Sequence, residues 1–79
     1  MSTSLLPFLD AIPEAAERHG FSRAFAYKHL ANTDELHVTP AHPDGERVIV
    51  FDGQLVSDFG DEAHRERVLA TIDERVRTA

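Results

Sequence analysis

IPEAAERHGFSRAFAYKHLA, residues 12–31, is the stretch on which the fold turns. Pro13 suits the first turn of a helix, where a missing amide is tolerated, and so predicts a helix over about 13–19. Gly20 stops it, because glycine accepts the left-handed conformation that a sharp helix end requires. Phe21 follows as an apolar plug. Ser22 is then a good N-cap, its hydroxyl placed to bond an exposed amide, and it predicts a further helix over about 23–31. Ala15 and Ala16 are small where that helix would cross the first, and Ala26 and Leu30 are spaced to face back onto it. Two short helices around a glycine turn form the pattern of a helix-turn-helix, whose second helix enters the major groove of DNA.

Outward from that stretch the pattern changes. On the N-terminal side, Ser4 is placed to cap a short helix near 4–10, with Pro7 in its first turn. Asn32 and Asp34 close the helical region, and Glu35–Pro40 (ELHVTP) alternates as a strand does. AHPDG (41–45) reads as a turn and ERVIVF (46–51) as a strand. Asp52-Gly53 is a two-residue hairpin signal, which makes Gln54–Ser57 a returning strand. Val48 to Phe51 is apolar on both faces, a pattern that calls for cover on both sides, from a helix or from another subunit. The last element, about 61–77, is an amphipathic helix capped by Asp58 or Asp61. Its stripe is Val68, Leu69, Ile72 and Val76, with Asp61/Arg65 and Asp73/Arg77 spaced for ion pairs. The expected fold is a single small α+β domain over 1–79. It comprises a helix-turn-helix half (12–31), a β-hairpin or three-stranded meander (35–57) and a C-terminal amphipathic helix (61–77).

The formal net charge is −6, and it is unevenly distributed. Residues 1–32 are neutral, residues 33–62 carry eight acids against Arg47, and residues 63–79 are slightly basic. The acidity therefore belongs to the middle of the chain. There is no cysteine, so neither a disulfide nor a thiolate metal site is available. No apolar run is long enough to span a membrane, and the N-terminus lacks the pattern of a secretory signal. The expectation is a cytoplasmic protein.

EAAERHGFSRAFAYKHLANTDEL and the following HVTPAHPDGERVIVF resemble the excisionase and MerR-like group of small winged helix-turn-helix proteins. In that group an Ala-rich helix, a Gly turn, Ser-Arg and a Tyr-basic pair lead into a wing hairpin. The resemblance covers about residues 12–51, with Pro43-Asp44-Gly45 at the wing tip. It implies a DNA-binding protein, a transcriptional regulator or an excisionase. Ser22, Arg23, Tyr27 and Lys28 would touch double-stranded DNA, and Arg47 would assist from the wing. It implies no cofactor.

The rival expectation is a protein-interaction module, or a mimic of nucleic-acid charge that blocks a nucleic-acid-binding partner, using the acidic 33–62 face. A homodimer fits either role. His37 and His42, with Asp44, suggest a metal site, although five histidines in a chain this size are more simply surface groups. His19 and His29 would face each other between the two helices. No nucleophile motif or phosphate-binding glycine loop is present, so an enzyme is not expected.

Overall fold

The computed structural model describes residues 5–79; the expected Ser4 cap lies outside them. The order is α1 (Leu5–Asp10), α2 (Ile12–Arg18), β1 (Phe25–Leu30), β2 (Glu35–Pro40), β3 (Ile49–Asp52), α3 (Gly53–Phe59) and α4 (Arg65–Thr78). The strands form one antiparallel meander in the order β1-β2-β3. The α+β class is as expected, and a bent N-terminal helix pair precedes the sheet.

The end of α2 forms as the sequence predicts. Gly20 has φ +86°, the Gly20 amide bonds the Glu17 carbonyl at 3.3 Å, and the Phe21 amide bonds the Ala16 carbonyl at 2.9 Å. Those two bonds make a Schellman cap, with Phe21 buried as its apolar residue.

The helix expected over 23–31 is not formed: residues 25–30 are strand β1, so the helix-turn-helix is absent. The Ser22 hydroxyl does accept an amide, but that of Ala24 at 3.1 Å, while the Ser22 amide bonds the Ala41 carbonyl at 2.9 Å. The serine therefore starts a strand rather than capping a helix. Register explains the outcome. In a helix Phe25 and Tyr27 would point about 200° apart; in β1 they share a face, with ring centroids 6.4 Å apart. Asp34, at φ +51°, closes the tight turn to β2, in the left-handed region that a short polar side chain tolerates.

A second correction concerns Asp52-Gly53. These residues start α3 rather than a hairpin, so the returning strand over 54–57 is helical. The Gly53 amide bonds the Asp34 carbonyl at 2.7 Å, and a Cβ on Gly53 would run into the Asp34 carboxylate. The bare backbone at Gly53 lets the exposed Asp34 carboxylate lie against it, so the glycine accommodates a close approach rather than a turn.

All the helices lie on one face of the sheet. Phe8 of α1 makes edge-on contacts with Phe51 of β3 at 5.2 Å and with Phe59 of α3 at 5.9 Å. Each such pair adds about 0.5–1.5 kcal/mol beyond burial. Leu36, Val38, Ile49 and Phe51 form the sheet's side of the core, and Ile12, Val68, Ile72 and Val76 the helical side. The stripe of α4 is therefore core, except for Leu69, which is exposed. α4 begins at His64–Arg65 without a side-chain cap. Asp58 bonds Gln54 and Arg67 instead, and Asp61 accepts the Ala63 amide. The ion pairs also differ from expectation: Asp73 pairs with Arg18, and Arg77 with Glu74.

Candidate interaction surface

The two edges of the sheet differ. In an antiparallel ladder, alternate residues turn both backbone groups toward the neighbouring strand. The Ala41 amide reaches the Ala24 carbonyl at 3.5 Å, and Ala24 is the partner of Ala41 when the β1–β2 register is extended. Ala26, Lys28 and Leu30 therefore face β2, and Phe25, Tyr27 and His29 turn their amides and carbonyls to the outer edge. The Gly53–Asp34 bond sets the β2–β3 ladder in the same way and turns Val50 outward. At that edge the Arg75 guanidinium donates to the Val50 carbonyl at 2.7 Å. The β3 edge is short and covered. The β1 edge spans the whole strand and, among the described residues, nothing bonds its outward groups.

The faces of the sheet differ too. On the helical side, rows run Tyr27–Val38–Ile49 and His29–Leu36–Phe51. Val38, Ile49, Leu36 and Phe51 are buried, but Tyr27 is 52% exposed. The helices thus cover β2 and β3 and leave β1 overhanging. The other face has no layer over it among the described residues. Its rows are Lys28–His37–Val50 and Leu30–Glu35–Asp52. Val48 and Val50 are 59% and 38% exposed, so the cover expected on both sides of this apolar run is present on one side only.

Glu35 and Asp52 stand directly opposite each other across β2 and β3. The ladder phase makes them a non-hydrogen-bonded pair, the closer of the two kinds. Like charges so placed are destabilising. Glu35 is held by the Thr33 hydroxyl and by the His37 ring, each at 3.2 Å. Among the described residues no lysine or arginine pairs with Glu35 or Asp52. This row is the least compensated charge on the sheet, and reading it from sequence needed the β2–β3 register.

The residues expected to touch DNA are not brought together on one helix. Ser22 is engaged at the strand entry. Arg23 pairs with Glu17 at 3.3 Å. Tyr27 and Lys28 are both exposed but, as neighbours in a strand, point to opposite faces. Arg47 is exposed in the β2–β3 connection.

The histidines separate as well. His42 packs at a tilt against Phe21, with centroids 4.7 Å apart, and its Nδ1 accepts the Asp44 amide at 3.1 Å. His37 sits with Glu35, so the two do not converge on a metal. No metal-ligating cluster occurs among the described residues. His19 and His29 do not face each other: His19 meets Asp73 at 3.0 Å, and His29 lies 3.7 Å from Asp34. That second separation is too long for the hydrogen bond that would orient the ring. His29, Asp34 and Ser57 border a cleft of about 370 Å³ under the β1 overhang, floored by Leu36 and Val56.

Asp73 on α4 ties down α2. Its Oδ1 receives Arg18 at 2.8 Å and His19 at 3.0 Å. The Arg18 hydrogen bond, helped by that of His19, holds its carboxyl below the usual carboxylate range.

No helix among the described residues is long and apolar enough to cross a membrane. No protein family model matches the chain, and no curated protein or solved structure matches it.

Proposed function

We propose that this chain is a protein-interaction module that receives a basic partner on the bare face of its sheet. The observation that carries this role is the opposed Glu35–Asp52 pair, two carboxylates on adjacent strands with no lysine or arginine between them among the described residues. A guanidinium or ammonium placed there relieves their repulsion. A half-polar, uncovered sheet face suits a partner's extended segment or helix bearing Arg or Lys. Proteins whose basic surface otherwise holds nucleic acid belong to that class.

Duplex DNA is the second reading. It is supported by the acid-free stretch 22–31, which carries Arg23 and Lys28, and by the resemblance of residues 12–51 to winged helix-turn-helix proteins. Without a recognition helix, contact would run through β1, where Lys28 lies one row from Glu35 and Asp52 on the same face.

One titration separates the two. A labelled arginine-rich peptide and a random duplex are each titrated with the wild type at low salt. The same is done with a Glu35→Gln, Asp52→Asn variant and an Arg23→Ala, Lys28→Ala variant. An interaction module binds the peptide, loses it in the first variant and weakens with salt. Peptide binding that is absent, or unchanged in the first variant, contradicts the proposal. Duplex binding lost in the second variant alone establishes the other reading.

A further inference from the structure

We infer that the open edge of β1 is filled by β1 of a second copy, giving a continuous six-stranded sheet with its twofold axis at Tyr27. This rests on the edge alone and not on the partner proposed for the bare face.

The edge presents the backbone groups of Phe25, Tyr27 and His29, set by the ladder phase derived above. Pairing must match outward groups with outward groups, so an antiparallel twofold can sit at Ala26, Tyr27 or Lys28 but not between them. An axis at Lys28 opposes Lys28 to Lys28 of the second copy, and directly opposed like charges are destabilising. An axis at Ala26 leaves His29 and Leu30 unpaired. An axis at Tyr27 pairs Tyr27 with Tyr27, and Phe25 with His29 of the second copy, in both directions. Lys28 then faces the small Ala26.

Charge favours the same register. Arg23 comes opposite Ala31 of the second copy, beside the turn that carries Asp34, so a base of one chain meets an acid of the other at both ends. The overhang is satisfied as well. Phe25, Tyr27 and His29 share the helical side of the sheet, and their counterparts from the second copy lie alongside them there. The axis is perpendicular to the sheet, so both helical layers stay on one face and both Glu35–Asp52 rows stay on the other. The β3 edge cannot serve in the same way, because Arg75 occupies its outward carbonyl.

The test uses the full chain, which has no cysteine of its own. Sedimentation of the wild type from micromolar to millimolar concentration is expected to show a species of twice the 8.8 kDa chain mass. Single cysteines are then introduced as Tyr27→Cys and Lys28→Cys and oxidised mildly. Residues facing each other in a hydrogen-bonded pair have Cα atoms about 5.5 Å apart, within disulfide range. Tyr27→Cys is therefore expected to cross-link about ten-fold faster than Lys28→Cys, whose sulfurs lie two positions out of register. A wild type that stays monomeric throughout overturns the inference, and so does cross-linking of Lys28→Cys as fast as Tyr27→Cys. Neither result bears on the peptide titration above, which reads the other face of the sheet.

Discussion

Gly20 shows how one residue serves two different folds. Its φ of +86° ends α2 through the Schellman bonds, and nothing lies within 4 Å of where its Cβ would be. The cost of a side chain there is purely conformational. Gly20→Ala is expected to destabilise the domain by about 1–2 kcal/mol, the penalty of a left-handed L-residue, without changing the fold. Urea unfolding checks this. Asp73 carries the other single-residue prediction. Because its folded-state pKa is depressed, chiefly by the Arg18 bond, its contribution is present above the unfolded carboxylate pKa. It is lost as pH falls through the lower folded value. Asp73→Asn should therefore lower the Tm near neutrality, and the gap from wild type should close on acidification below about pH 4. A gap that stays constant from pH 7 to strongly acid solution would show that the Arg18–His19–Asp73 link contributes nothing.

Among the elements, β1 and α3 are the two whose type was not legible, and β1 is the more instructive. Ala26, Lys28 and Leu30 are good helix formers, and Ser22 is as good an entry to a helix as to a strand. The deciding fact is non-local: ELHVTP lies one tight turn away, in register for six cross-strand pairs. The weak alternation of Phe25, Tyr27 and His29 carried that signal and was outweighed by helical spacing. Asp52-Gly53 misled for a related reason, since the glycine answers to Asp34, nineteen positions away along the chain but adjacent across the ladder. Elements with local signals were legible: α2 with its proline start and glycine stop, β2, and α4 with its stripe. The site was legible only as charge in 33–62; its focus at Glu35 and Asp52 required the register. Tyr27→Pro removes an amide that faces the open edge, whereas Lys28→Pro removes one from the β1–β2 ladder. Lys28→Pro should be the less stable by about 1–3 kcal/mol, the cost of stranding a ladder group, and equal midpoints in denaturant would show that the ladder phase is wrong. Phe8→Ala, which takes away the ring joining α1 to Phe51 and Phe59, should cost about 3–5 kcal/mol. In so small a domain that loss should appear as a largely unfolded near-UV spectrum, and a native spectrum would show that α1 is dispensable.

For the whole molecule, the helices on one side leave a sheet that is covered once. The exposed Val48 and Val50, an acid row without a lysine or arginine partner among the described residues, and an edge strand all lie on that unshared surface. Isolated edges are ordinarily blunted, and at the β3 end Arg75 does this. At the β1 end Lys28 is the only lysine, and its side chain stands off the face rather than across the edge. Both proposed contacts, the basic partner on the bare face and the second copy on the β1 edge, would use that surface.

Everything proposed for the sheet depends on residues 25–30 forming a strand with one bonded and one open side. Amide exchange and NOE spectroscopy on dilute protein test it directly. Protection is expected at Ala26, Lys28 and Leu30, fast exchange at Phe25, Tyr27 and His29, and an Hα–Hα contact between Tyr27 and Val38, a close non-hydrogen-bonded pair. Consecutive protected amides with sequential amide–amide contacts across residues 23–31 would mean a helix there, and would contradict the account.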